Sequence, residues 1–297
     1  MKTDVLGNEA YAASGRPKNK RKFKFDPVLL TQYIVLLIMT VIMVYPLFLI
    51  LNISMKTYQQ YLNNPNAIVP FSEWNITNYQ VVWKKLDVFR KLGNSLGFAL
   101  ISTVINCFVS LLAAFPISRN HFKSSGKVYT FVLASMFFPG SLVATIVLMK
   151  NVLFIYGTPL SLIMLWGLGG LQLNIFMMVG FVKQLPKDLD EAAWIDGCGY
   201  YRYILTIALP LMLPIISTVF TFKFIGCWND FLTPYIYLEN ADLRPLATGL
   251  FFFRGEYSSR WQELSAAIIL VCLPMVVLYV FMQRFIISGL TSGALKG

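Results

Sequence analysis

The segment Glu191-Ala192-Ala193-Trp194-Ile195-Asp196-Gly197 is followed, nine residues on, by Ile207-Ala208-Leu209-Pro210. It lies between two long apolar runs, Leu160 to Val182 and Leu205 to Gly226. A loop that only joins two helices needs a few turn residues, whereas this one carries helix formers, carboxylates and a glycine in a definite order. Pro186 and Asp188 are expected to open a short helix, Pro fitting a first turn and Asp capping the exposed amides. Ala192 and Ala193 carry almost no side chain, so another surface can come close, and Glu191 offers a carboxylate to hydrogen-bond donors, with Asp196 beside it. Gly197 falls where a left-handed cap turns the chain sharply into a second helix. Local chemistry alone fits an ordinary helix-turn-helix connection equally well.

What surrounds this hairpin decides the fold class. Hydrophobic residues make up 57% of the 297 and charged ones only 13%, with a mean hydropathy of +0.62, far more apolar than a soluble chain of this length. About 20 apolar residues cross the hydrocarbon as a helix. Six stretches approach that: Val28 to Leu51, Ser95 to Ile117, Val128 to Met149, Leu160 to Val182, Leu205 to Gly226 and Leu264 to Ile287. The expectation is an all-α membrane protein with six transmembrane helices in one domain, residues 27–288, between a basic N-tail (1–26) and a short C-tail (289–297). With the N-terminus inside, the inner segments together with Arg284 at the inner end of the sixth stretch hold 15 basic and 7 acidic residues, against 9 and 7 outside, and Lys223 sits in a span. The positive-inside rule then places both termini and the 186–205 hairpin in the cytoplasm and the long connections 52–94 and 227–263 outside.

Several function classes drop out. Cys107, Cys198, Cys227 and Cys272 have no CxxC spacing, and the one histidine, His121, rules out the His-rich ligand sets of most catalytic zinc sites. No HExxH, GxSxG or membrane-embedded aspartate pair is present, so an intramembrane enzyme is disfavoured. The cluster Arg16, Lys18, Lys20, Arg21, Lys22, Lys24 directly before a span sets topology and meets anionic lipid, with no nucleic acid implied. No GxxxxGK[ST] phosphate loop occurs, so any ATP and Mg belong to a partner and this chain needs no cofactor of its own.

Residues that break or soften helices recur at membrane depth: Pro139-Gly140, Gly167 with Gly169-Gly170, Pro210, Pro214 and Pro274. Helix packing and a gated path both use such breaks. Polar side chains there cost free energy unless paired or wetted. Ser102, Thr103, Thr218 and Thr221 are expected to bond back to their own helices, leaving Asn106, Gln172, Asn174 and Lys223 as the candidates for a translocation path. The same amides also serve as plain interhelical glue, and Lys223 as a snorkelling lysine.

Glu-Ala-Ala, three residues, Gly197, nine residues, Ile207, one residue, Leu209-Pro210 matches in full the EAA signature of the membrane subunits of bacterial ABC importers. Trp74-Asn75-Ile76-Thr77-Asn78-Tyr79, Asn94-Ser95, Trp228-Asn229-Asp230 and the terminal Gly289 to Gly297 are similar to the MalG-type carbohydrate permeases, and the resemblance runs from about residue 25 to the end. It implies a type I importer permease fold and an inner-membrane location. It further implies a MalF-like permease partner, two MalK-like ATPases inside and an extracytoplasmic solute-binding protein. On that resemblance Glu191, Ala192, Ala193, Asp196 and Gly197 form the ATPase-coupling joint. The outer loop 227–263, with Asp242, Arg244, Arg254 and Glu256, touches the binding protein, and the C-tail lies between the ATPases. The chain also resembles the LplC-like branch, which implies an oligosaccharide substrate, acidic uronate- or alginate-like chains included. Lys223, facing the path, would suit such a carboxylate.

The alternative class is a secondary transporter or channel subunit. It accounts for six spans with polar residues but leaves the hairpin unexplained. Proton or sodium coupling also calls for an intramembrane carboxylate, and no Asp or Glu falls within the six stretches.

Overall fold

The computed structural model describes residues 27–138, 140–251 and 260–294. The chain divides into two compact units, residues 1–48 and 49–297. The described part of the first belongs to helix α1 (Pro27–Ser54), uniformly apolar apart from groups such as Thr40, whose hydroxyl donates to Leu36 O at 2.7 Å. Bonding back to its own helix lets a hydroxyl sit at membrane depth.

In the second unit Thr57 and Gln60 form a capping box that starts α2 (Tyr58–Asn63). Next comes α3 (Thr77–Leu86), and Asp87, left-handed at φ 49°, turns the chain into α4 (Val88–Ser118). There follow α5 (Ser125–Ser135), α6 (Leu142–Val147), α7 (Pro159–Leu168), α8 (Leu171–Val182), α9 (Asp188–Ile195), α10 (Tyr200–Tyr203), α11 (Leu209–Asn229), α12 (Leu232–Tyr237) and α13 (Trp261–Ala294). No strand occurs among the described residues. Five segments are long and apolar enough to cross a bilayer: Val28–Ser54, Val88–Ser118, Pro159–Val182, Ile204–Asn229 and Trp261–Phe281.

The third expected span, Val128 to Met149, is not one continuous helix. The chain leaves the helix after Ser135, and α6 starts afresh on Ser141, whose hydroxyl accepts from Ala144 N at 3.3 Å; a π-helical turn, Leu148–Val152, completes it. Gly140 adjoins the break, and Pro139, which cannot donate a helical hydrogen bond, lies outside the described residues. The result is five spans plus a shorter, interrupted one.

Helix α4 is the hub, packing on α7, α8 and α11, while α13 packs on α11 and α3. The buried face of α4 includes a run of small or short polar residues: Ser95, Ala99, Ser102, Thr103, Asn106, Ser110 and Ala114. Lipid is as apolar as leucine, so membrane helices associate through close packing and hydrogen bonds, which small residues permit. One buried cluster, including Phe115, Met178, Val182, Ala193, Tyr203 and Ile204, joins α4, α8, α9 and the start of the fifth span. Another joins Val82, Leu86 and Val88 to Leu246, Ala266 and Ala267 at the other end of α4.

Residues of the quoted motifs before α4 and in its first turns fasten that end. Asn78 Nδ2 donates to Ser54 O and Lys56 O, both at 2.8 Å, and Asn94 Nδ2 to Asp242 O at 2.8 Å. Ser95 Oγ accepts from Leu246 N at 2.7 Å, and Trp166 Nε1 donates to Asp230 Oδ2 at 2.9 Å. Lys56, fully buried, gives its ammonium protons to Asn64 O (2.9 Å) and Pro65 O (2.6 Å). Burial lowers its pKa from the ordinary lysine value.

Candidate functional site

The hairpin folds as a helix, a glycine cap and a second helix. The N-cap of α9 is Lys187, in a helical conformation, and no side chain caps the end. Asp188 therefore does not cap, contrary to expectation, because it lies one residue inside the helix; with Asp190 and Glu191 it places three carboxylates in the first turn, where the helix dipole favours negative charge. At the far end Gly197 has φ 66°, the left-handed region that costs an L side chain about 1–2 kcal/mol. Gly197 N donates to Trp194 O at 3.1 Å and Cys198 N to Ala193 O at 2.9 Å, the paired bonds of a Schellman cap.

Helix periodicity gives α9 two faces. Asp190 and Ala193 lie on one, and Ala193 is 4% exposed within the cluster of Phe115, Val182 and Tyr203. Glu191, Ala192 and Ile195 lie on the other, all exposed, as are Asp196 and Gly197 beyond them. Trp194 is 70% exposed and Ile195 86%, an apolar pair beside carboxylates on a hydrophilic hairpin.

Asp190, Arg119 and Tyr203 hold the inward face, and the sequence reading passed over all three. Arg119 Nε lies 2.7 Å from Asp190 Oδ2, an ion-pair contact without hydrogen-bond alignment, with side-chain exposures of 4% and 20%. Arg119 Nη2 donates to Asp190 Oδ1 at 3.3 Å and Nη1 to Leu185 O at 3.2 Å. The Tyr203 hydroxyl donates to Asp190 Oδ1. Burial first, then the hydrogen bond to Asp190 and its charge, push the Tyr203 phenol up to about 12, so it remains a donor at neutral pH. The sequence signal was faint: an arginine just after the second span and an acid just before Glu191, separated by 71 residues.

At membrane depth three of the four path candidates converge on one break. Gly170, at φ 72°, interrupts the fourth span between α7 and α8. Such a break frees carbonyls that lipid cannot satisfy. Asn106 Nδ2 donates to Gly167 O at 2.9 Å and Gly169 O at 3.0 Å, and Lys223 Nζ donates to Gly169 O at 2.8 Å. Asn174 Nδ2 donates to Asn106 Oδ1 and closes the knot. Lys223 is half-buried, its ammonium at the carboxyl end of α7, where the helix dipole is negative. Gln172 is half-buried two residues from Asn174, so it points to a different side of α8 and stays out of the knot. Thr218 and Thr221 bond back to Pro214 O and Ser217 O, as expected, whereas Ser102 donates across to Ile163 O at 3.4 Å.

Of the outer-loop candidates, Asp242 pairs with Arg90 at 3.3 Å. Arg244 donates to Leu238 O at 3.0 Å and lies 5.0 Å over the Tyr235 ring. Both line an open cavity of about 390 Å³ with Lys85, Asp87 and Lys91. Arg254 and Glu256 lie outside the described residues. The four cysteines are free, and no cluster able to hold a metal occurs among the described residues.

Apolar spans, the fourth broken at Gly170, with a polar hairpin presenting an exposed helix, define a polytopic membrane protein. The pattern for the inner membrane component of binding-protein-dependent transport systems matches residues 106–292, and the chain belongs to that family. It is 30% identical to the trehalose/maltose transport system permease protein MalG of Thermococcus litoralis, over 88% of this chain and 94% of that one. To the sulfoquinovosyl glycerol transport system permease protein SmoH of Agrobacterium fabrum it is 29% identical, covering 85% and 89%. Among solved structures, a bacterial ABC transporter involved in the import of the acidic polysaccharide alginate superposes with a TM-score of 0.76 at 16% identity, over 87% of this chain and 96% of that one, which establishes the fold. The protein is thus an ABC-type permease subunit of the inner membrane, a transport component and not an enzyme.

Proposed function

We propose that this subunit forms half of the translocation path of an ATP-driven oligosaccharide importer and is driven through α9. The observation that carries the reading is the outward face of α9. Glu191, Ala192 and Ile195 are exposed on a helix whose opposite face is clamped to the bundle, and Trp194 is exposed at its edge. Exposed tryptophan and isoleucine ringed by carboxylates suit a cleft on a soluble partner. With no phosphate loop in the chain, that partner is the ATPase, one of two MalK-like copies, and ATP with Mg binds there. A MalF-like permease supplies the other half of the path, and an extracytoplasmic binding protein meets the loop that carries Asp242 and Arg244. The relatives' sugar substrates support a carbohydrate.

Within carbohydrates, an acidic oligosaccharide is the reading we take, on Lys223. A half-buried ammonium that donates to Gly169 O at the fourth-span break would attract a uronate passing there. The test is uptake of an alginate oligosaccharide and a neutral malto-oligosaccharide by the complete importer in proteoliposomes. Lys223→Ala should lower uptake of the acidic solute well below that of the neutral one, and an equal effect on both removes the electrostatic role. Uptake by this chain alone down an ion gradient, without ATP, would overturn the importer reading itself.

A further inference from the structure

A coupling helix is useful only if it cannot slip, and α9 has little to hold it. It has eight residues, too few to be stable by itself in water, and Ala193 is its one buried residue. The apolar contact of a single alanine is small and gives almost no resistance to rotation. What fixes α9 in direction is the charged cluster on the same face: Asp190 against Arg119, which directly follows α4, and against Tyr203, which directly precedes the fifth span. Arg119 also ties the chain at Leu185, just ahead of α9. Charge-assisted, multiply bonded contacts of this kind are directional where apolar contacts are not. Arg119 is 4% exposed, and removing one member of a buried pair leaves the other uncompensated.

We infer that Asp190, Arg119 and Tyr203 are positioning residues that lock α9 to the second and fifth spans, so that displacement of its outer face is passed to both as one rigid body. This rests on the reading of α9 as the ATPase-docking helix and adds the route of the motion into the membrane. Asp190 touches neither ATP nor solute; it acts through the helix it holds.

The test uses the complete importer with its partner permease, ATPases and binding protein. Spin labels are placed at Leu189→Cys on α9, off its docking face, and Leu205→Cys beyond Tyr203, two exposed positions on either side of the clamp, with Cys107, Cys198, Cys227 and Cys272 replaced by Ser. Pulsed electron resonance then gives the distance distribution without nucleotide and with a non-hydrolysable ATP analogue. In the parent the distribution should be narrow and the same in both states, since both labels ride one body. Asp190→Asn and Arg119→Gln should each broaden it and make it shift with nucleotide, while ATPase still co-purifies. The double variant should resemble either single one, because the two residues act as a unit. Tyr203→Phe keeps the ion pair and should broaden the distribution less, which retains a test if the charge variants fold poorly. A distribution as narrow in Asp190→Asn as in the parent, or one that moves with nucleotide in the parent, overturns the inference. Loss of co-purifying ATPase in Asp190→Asn also overturns it, reducing the pair to folding the docking face while the docking reading stands. The docking reading has its own control: maleimide labelling of Ile195→Cys should be blocked by bound ATPase, and unimpeded labelling would sink that reading whatever the distances show.

Discussion

Replacing Asn106 by alanine tests whether the knot at the fourth-span break is structural glue. Asn106 is fully buried and takes part in three hydrogen bonds: two donated to Gly167 O and Gly169 O, and one accepted from Asn174. Interhelical hydrogen bonds in membranes average ~0.6 kcal/mol each, with the best near 1.7. Three of them give about 2 kcal/mol, and the carbonyls of the break have no alternative donor in lipid. Gly169 O keeps Lys223 as a donor, so the loss concentrates on Gly167 O. Asn106→Ala should therefore lower the unfolding free energy of the purified protein, measured by SDS titration in mixed micelles, by about 2 kcal/mol. Asn174→Ala should cost about 1 kcal/mol, and the double variant less than the sum because the two share a bond. A loss below about 0.5 kcal/mol for Asn106→Ala would mean that water satisfies the carbonyls of the break and that the amides are not the glue.

Two further consequences can be checked directly. Gly170→Val puts a β-branched residue at φ 72° and should cost at least 1–2 kcal/mol in the same assay, whereas Gly180→Ala, in the continuous part of α8 with open space at its Cβ, should be nearly neutral. Tyr203, pushed up to about 12, binds its proton more tightly folded than unfolded. The stability this lends is complete below pH ~10 and is lost as the pH rises through about 12. In an alkaline spectrophotometric titration, Tyr203→Phe should therefore remove a late-ionising phenol, and removal of an ordinary one near pH 10 would contradict the burial and the Asp190 contact.

Much of this architecture is legible in the sequence. Apolar run length marked five spans cleanly, since a continuous α-helix needs little beyond hydrophobicity in lipid. The third failed as a single helix because Ser141 caps a new start next to Gly140, and a hydropathy window averages over such a break. Gly197 was readable as a left-handed cap because so few residues occupy that conformation freely. Asp188 was misplaced by one residue, a shift that turns an N-cap into a first-turn acid. The amides Asn106 and Asn174 and the Lys223 ammonium were visible as costly groups at depth, but their meeting point was not, because it depends on which carbonyls the break at Gly170 releases. The Arg119–Asp190–Tyr203 clamp was least legible, as it joins three elements distant in sequence and each residue alone looks like an ordinary loop charge or interfacial aromatic.

The central claim is that α9 receives work from an ATPase and delivers it to the spans. Its most direct test is the ratio of oligosaccharide imported to ATP hydrolysed in proteoliposomes holding the complete importer with Glu191→Lys or Gly197→Asp in this chain. Both positions are exposed, away from the buried cluster that holds the bundle. The account predicts normal insertion and a collapsed ratio in both variants. A parental ratio in both would contradict it.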